Sequence, residues 1–134
     1  MTSVVVYKGE LRTQATHIRS ANQLITDAPV DNNGKGQAFS PTDLVATALA
    51  SCIFSIMGIA AAKREIPMEG AFAQVTKVME SNPRRITKVI VEITMPSNVD
   101  YTEDQEKFLR KIAETCPVSR SLHPDLVQEI SLKF

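Results

Sequence analysis

The sequence predicts an α+β fold, and three observations lead to this prediction. Runs of β-branched and alternating apolar residues indicate strands towards both ends of the chain. A long stretch without charge in the middle indicates a helix, and a second, amphipathic helix follows it. With 134 residues, the chain has the length of one domain, residues 1–134, in which sheets cover the helices.

The composition excludes several classes of function. Fifteen basic and fifteen acidic residues give no net charge, so we expect neither nucleic acid nor an anionic membrane surface as a partner. Aromatic residues make up only 5% and Trp is absent, which removes the usual stacking platforms for single strands. The first residues lack the pattern of a secretory signal, so a cytoplasmic protein with two free thiols is expected.

The N-terminal part of the chain predicts a meander of three strands. The strands are expected at residues 2–8, 11–19 and 23–27, with turns between them. A polar, glycine-containing loop at 31–36 follows, and its glycines lack the spacing of a phosphate-binding motif. This loop therefore only leads the chain into the long helix.

The long helix is predicted over residues 40–64. Ser40 is a good N-cap, Pro41 suits the first helical position, and Asp43 completes a capping-box pattern. Lys63 and Arg64 suit the C-terminal end of the helix dipole. Between Asp43 and Lys63 there is no charge, which predicts a helix that is buried on every side.

This helix must be either a core element or a membrane span. Its uncharged run reaches the lower length limit of a span. However, it is rich in alanine and hydroxyl residues and has predicted strands on both sides, so we expect no membrane. One chain of this size can hardly enclose a helix that is apolar all round, and we therefore expect a homodimer.

Two further strands, a helix and a last strand are predicted after the long helix. A hairpin is expected at about 71–80 and 88–95, and a helix at 103–115 begins with the capping box Thr102 to Gln105. A final strand is predicted at the end of the chain, where apolar and polar residues alternate. The inward-facing apolar residues are Val89, Val91, Ile93 and Met95 in the hairpin, and Ile130, Leu132 and Phe134 in the last strand.

Cys116 and Cys52 are the two candidates for chemistry. Cys116 precedes Pro117, which predicts a helix start with the thiol at the N-cap, where unpaired N–H groups and Arg120 would lower its pKa. The alternative is a small buried residue at a helix junction. Cys52 lies in the middle of the long helix, where a cysteine is usually inert core. The residues alone therefore favour Cys116 as the activated thiol.

A metal site is not predicted. Two cysteines so far apart, with only His17 and His123 elsewhere, lack metal-ligand spacing. Neither histidine is an evident catalytic base.

Two segments together resemble the OsmC/Ohr family of osmotically induced and organic-hydroperoxide-resistance proteins. These are Ser-Pro-Thr-Asp-Leu leading to Ala-Ser-Cys at Cys52, and Cys-Pro-Val-Ser at Cys116. The resemblance spans nearly the whole chain, which is similar to a divergent OsmC-like member. It implies antiparallel sheets wrapped around two central helices, in an intertwined homodimer with sites at the interface.

The resemblance also implies a peroxidase cycle. Cys52 would attack the O–O bond of an organic or hydrogen peroxide and become a sulfenic acid, and Cys116 would then condense with it to a disulfide. A dithiol reductant, which for some members is a lipoyl protein, would reopen the disulfide. The cycle needs no metal and no cofactor. The family pattern thus makes Cys52 the attacking thiol, in contrast to the local analysis.

The family's active members carry a Glu and an Arg that orient the peroxide. Counting back from Cys52, the Glu position falls on Thr42, and Asp43 beside it is the remaining acidic candidate for the catalytic site. The loop before the helix holds Lys35 but no arginine, whereas Arg12 and Arg19 lie on earlier strands. Besides the enzyme, two alternatives therefore stay open: a non-enzymatic dimer that senses redox state or binds a small ligand, and a purely structural interaction domain.

Overall fold

A computed structural model describes all residues, 1–134. Six strands and three helices follow one another, with a short 3-10 turn at Val30–Asn32. They are β1 (Ser3–Gly9), β2 (Arg12–His17), β3 (Gln23–Asp27), α1 (Pro41–Ala62), β4 (Phe72–Glu80), β5 (Arg85–Thr94), α2 (Glu103–Ala113), α3 (Pro117–Ser121) and β6 (Val127–Lys133). The predicted α+β class and order of elements are confirmed. The chain forms two compact units, Met1–Val45 and Ala46–Phe134.

The N-terminal unit contains the predicted antiparallel meander, β1-β2-β3. Because paired residues of adjacent strands share a face, the register places apolar side chains on both faces of the sheet. Val4, Val6 and Ile25 lie on one face, and Val5, Tyr7 and Leu24 lie on the other. All six side chains are more than 40% exposed in the single chain. Both faces of this small sheet are therefore apolar and open.

A partly buried ion pair closes the loop that follows this sheet. The guanidinium of Arg12 donates to both carboxylate oxygens of Asp27, from Nε at 2.7 Å and from Nη2 at 2.8 Å. The backbone N–H of Gln37 donates to Oδ2 at 3.1 Å. Asp27 is only 1% exposed, and the hydrogen bonds from Arg12 hold the pKa of its carboxyl below the usual value. The ion pair thus ties β2, β3 and residue 37 together.

Helix α1 begins with the predicted capping box. The N–H of Asp43 donates to Ser40 Oγ at 3.1 Å, and the N–H of Ser40 donates to Asp43 Oδ2 at 2.8 Å. The helix ends at Ala62, two residues earlier than predicted. The chain leaves the helical conformation there, with Glu65 at a positive φ of 54°.

The prediction that α1 is buried on every side is not met in the single chain. One stripe is buried, made by Ala46, Leu49, Ala50, Ile53, Met57 and Ala61, whereas Ile59 on the same helix is 63% exposed. By length and composition α1 could cross a membrane. This is weak evidence, because the core helix of a soluble protein meets the same criteria.

The C-terminal unit has a mixed sheet. Strands β4 and β5 form the predicted antiparallel hairpin, but β6 pairs with β5 in parallel. The expectation of antiparallel sheets therefore fails for this one pair. The reason is the connection: α2 and α3 lie between β5 and β6, and such a helical crossover allows the chain to re-enter the sheet in the same direction.

The core of the C-terminal unit lies where the predicted apolar faces meet. The predicted residues Val89, Val91 and Ile93 of β5, and Met95 directly after it, are at most 2% exposed. Helix α2 begins with the predicted capping box of Thr102 and Gln105 and contributes Leu109 and Ala113 to the same cluster, which also includes the α1 stripe, Cys116 and Leu132.

Candidate functional site

Two free thiols meet inside the C-terminal unit. Cys52 lies in the middle of α1, and Cys116 lies at the N-cap of α3. They are 64 positions apart in the chain, yet Cys52 lies close enough to Cys116 to raise the pKa of its thiol. The structure therefore brings together the two cysteines that sequence analysis singled out separately.

The local sequence fixes where Cys116 points. Pro117 at the first helical position disfavours a helical conformation in the residue before it, and Cys116 has φ −58° and ψ 127°. Its Sγ lies 4.0 Å from the carbonyl oxygen of Leu49. Because Leu49 precedes Cys52 by three residues, one helical turn of α1 supplies both groups next to the Cys116 sulfur.

The two thiols differ in exposure. Cys116 is fully buried, at 0% exposure, whereas Cys52 is only partly buried. A reagent from solution therefore meets Cys52 first.

Cys116 is not the activated thiol that its helix start predicts. Burial raises the pKa of the Cys116 thiol, and the hydrogen bond and charge of Cys52 raise it further. The backbone N–H groups of Ser119 and Val118 act in the opposite direction but are outweighed. The prediction was wrong because the dipole of a five-residue helix stabilises a thiolate only weakly. The free-energy cost of taking the thiolate out of water is larger than this stabilisation. Arg120 is not among the groups that shift this pKa.

Asp43, the third predicted site residue, belongs to the capping box of α1 in the N-terminal unit. Thr42, at the family's Glu position, has its hydroxyl 3.1 Å from Ser40 Oγ. The capping role of Asp43 is thus confirmed, and its role in the chemistry stays a prediction.

Arg12 and the two histidines bind partners other than the thiols. The guanidinium of Arg12 holds Asp27, His17 Nδ1 lies 2.7 Å from Ser20 Oγ, and His123 accepts the N–H of Asp125 in a turn. No group of three or more His, Cys, Asp or Glu side chains is placed to hold a metal ion.

Sequence reasoning missed two groups that contact Cys116 or the short helix that begins after it. One is the carbonyl of Leu49, which no sequence pattern marks as an acceptor for a thiol. The other is Gln128 on β6, whose Nε2 donates to the carbonyl of Ser119 in α3 at 3.0 Å. A signal for Gln128 exists: it has the same parity as Ile130, Leu132 and Phe134, so it is the polar residue on the apolar face of the last strand.

Comparisons with known proteins show which family the chain resembles. The family model for OsmC-like protein matches residues 34–131. A crystal structure of a candidate osmotic stress induced and detoxification response protein from Psychrobacter arcticus is 51% identical, with a TM-score of 0.93, and the match covers 98% of this chain and 95% of that one. A comparison with curated protein sequences found no match.

Two more distant structures share the fold. One is an organic hydroperoxide resistance protein OsmC, also described as a predicted redox protein and regulator of sulfide bond formation, from Legionella pneumophila; identity is 18%, the TM-score is 0.76, and 100% of this chain and 98% of that chain are covered. The other is an organic hydroperoxide resistance protein from Elizabethkingia anophelis, with 15% identity, a TM-score of 0.72, and coverage of 99% and 96%. With the family model matching most of its length and a relative of half-identical sequence covering nearly all of it, the chain belongs to the OsmC-like protein family.

Proposed function

We infer that this protein is a thiol-dependent peroxidase that reduces organic or hydrogen peroxides through Cys52 and Cys116. The observation that carries the proposal is the proximity of two free thiols of unequal exposure. Structural neighbours of the same fold are named for organic hydroperoxide resistance, which supports the choice of substrate. We place the activity in the cytoplasm, where dithiol reductants keep cysteines reduced.

In the first step, the Cys52 thiolate attacks one oxygen of the peroxide. An S–O bond forms, the O–O bond breaks, and the alkoxide leaves and takes a proton to become an alcohol. Cys52 is then a sulfenic acid. The exposure of the two sulfurs supports this order, because Cys116 has no surface through which a peroxide could reach it.

In the second step, the Cys116 sulfur attacks the sulfur of the Cys52 sulfenic acid. The S–S bond forms, the S–O bond breaks, and the hydroxide leaves as water with the proton of Cys116. A dithiol reductant, such as a protein-bound lipoyl group, then reduces the disulfide and is itself oxidised to a disulfide. Because the thiolate is the nucleophile, Cys116 gives up its proton as it attacks, and the leaving hydroxide takes that proton.

The test is consumption of cumene hydroperoxide in the presence of excess dithiol. Wild type should turn over, and Cys52→Ser should consume peroxide at the rate of the dithiol alone. Equal rates for the two proteins would remove the enzymatic proposal.

A redox sensor is the second candidate, because the groups that could orient a peroxide are otherwise engaged. Arg12 donates three hydrogen bonds, two to Asp27 and one to Gln37 at 3.2 Å, and Asp43 accepts the N–H of Ser40 in the capping box. A sensor would form the disulfide once with peroxide but would not sustain turnover with dithiol. The same assay therefore separates a sensor from an enzyme.

We also propose a homodimer in which a second copy covers the apolar surfaces that the single chain leaves open. These surfaces are the two faces of the β1-β2-β3 sheet and a groove of about 530 Å³ that α1 and β4 line with Thr47, Ala50, Ser51, Phe54, Ser55, Ala73 and Val75. Soluble monomers rarely expose such extensive apolar area. Light scattering should give twice the chain mass of 14.7 kDa; a monomer at micromolar concentration would contradict the proposal.

A further inference from the structure

We propose that Gln128 is a positioning residue for the second step of the cycle, because it anchors the short helix that carries Cys116. This inference rests on the proposed function. The Nε2 of Gln128 donates to the carbonyl oxygen of Ser119 at 3.0 Å, across a partly buried contact between β6 and α3. Ser119 is the third residue after Cys116, and its own N–H is one of the two that act on the Cys116 thiol.

Helix α3 needs an external anchor. It has only five residues, and helices of that length are not stable by themselves in water. The bonds of Arg120 N–H to the Cys116 carbonyl and of Ser121 Oγ to the Pro117 carbonyl lie within the helix or at its cap. The bond from Gln128 comes from outside the helix.

Gln128 belongs to a strand of the sheet in the C-terminal unit. Gln128 lies on β6, where it is paired with Val89 of β5, and Val89 is 0% exposed. Because β6 is paired with β5 from Val127 to Lys133, the hydrogen bond from Gln128 ties α3 to the sheet.

The amide oxygen of Gln128 indicates that packing alone does not explain why a glutamine occupies this position. Its Oε1 is buried and has no hydrogen-bonding partner, and an unpaired buried carbonyl opposes folding. The neighbouring inward-facing positions of β6, Ile130 and Leu132, are apolar. An apolar side chain at position 128 would avoid the unpaired oxygen, so the useful part of the residue is its N–H donor.

The consequence concerns the lifetime of the Cys52 sulfenic acid. Cys116 must keep its sulfur in contact with Cys52 to form the S–S bond and release water. If α3 loosens, the sulfenic acid persists, and a second peroxide molecule can transfer an oxygen to it. That reaction gives a sulfinic acid and an alcohol and ends the cycle.

The test compares Gln128→Met with wild type and with Gln74→Met, the same substitution at an exposed position of β4 in the same sheet. Each reduced protein is mixed with cumene hydroperoxide, quenched at intervals by alkylation, and analysed by mass spectrometry for sulfenic acid, disulfide and sulfinic acid at Cys52. Melting temperature is measured in parallel. Gln128→Glu, which keeps the length of the side chain but loses the donor, serves as a second variant.

We expect Gln128→Met to lose Cys52 thiol at the wild-type rate but to form the disulfide about two- to tenfold more slowly, the range of one net hydrogen bond. Sulfinic acid should rise with excess peroxide. Disulfide and sulfinic acid yields equal to those of Gln74→Met would overturn the inference, whether or not the melting temperature falls. Absence of any Cys52 oxidation in wild type would instead overturn the proposed function, and the inference with it.

Discussion

Replacing Leu49 with alanine should destabilise the protein at the point where the two thiols meet. Leu49 is 0% exposed, and its carbonyl oxygen is the one beside the Cys116 sulfur. The substitution removes three carbon atoms, which at about 0.8 kcal/mol per buried methylene amounts to about 2.4 kcal/mol of transfer free energy. The cavity left behind raises the expected loss in free energy of unfolding to about 2.7–5 kcal/mol.

The assay is urea denaturation under reducing conditions at one fixed protein concentration, since association would make the midpoint concentration-dependent. For a chain of this length the loss corresponds to a fall in melting temperature of roughly 10 to 20 °C. Leu49→Met, which keeps the volume, should cost less than about 1.5 kcal/mol. If Leu49→Ala were as stable as Leu49→Met, Leu49 would not be packed as the structure shows.

Three further predictions concern the elements that support the fold. Arg12 lowers the pKa of Asp27 in the folded state. The ionised Asp27 therefore stabilises the fold above pH 3.8, its usual pKa, and this stabilisation is lost as the pH falls through the lowered folded pKa. Asp27→Asn should make the melting temperature fall less steeply at acid pH, and an unchanged acid dependence would contradict the ion pair. Thr102→Ala should cost about 1 kcal/mol in urea denaturation, since it removes the cap of α2; no loss would show that the cap is not formed. Gly34→Ala should strongly destabilise the protein, because the new Cβ would lie 1.7 Å from a backbone oxygen. In contrast, the Cβ of Gly58→Ala in α1 would meet nothing within 4 Å, and this substitution should stabilise the protein by about 0.5–1 kcal/mol. The opposite order of melting temperatures would refute the placement of both glycines.

Most of the secondary structure could be predicted because its signals are local. The capping residues Ser40 and Thr102 set the starts of α1 and α2, and the period-2 alternation in β5 identified its buried face. The parallel pairing of β6 could not be read in this way. It depends on where the chain re-enters the sheet after two helices, and no residue of β6 itself records that direction.

At the candidate site, too, only the local features could be predicted. Each cysteine could be singled out from its own segment, and the start of α3 at Cys116 was predicted correctly. Their proximity and the raised pKa of Cys116 could not be derived, because both depend on residues from other segments, such as Leu49. Gln128 could not be found in this way because the predicted alternation of the last strand begins at Glu129, whereas the structure extends the strand back to Val127.

The central claim is that Cys52 and Cys116 act as one redox pair, and mass spectrometry after one equivalent of cumene hydroperoxide tests it most directly. Wild type should lose the mass of two hydrogens and yield a peptide cross-linked between Cys52 and Cys116. Cys116→Ala should instead gain one oxygen, trapped by dimedone at Cys52, and Cys52→Ala should remain unmodified. Oxidation of Cys116 in the Cys52→Ala protein, or sulfenic acid without any cross-link in wild type, would contradict the account.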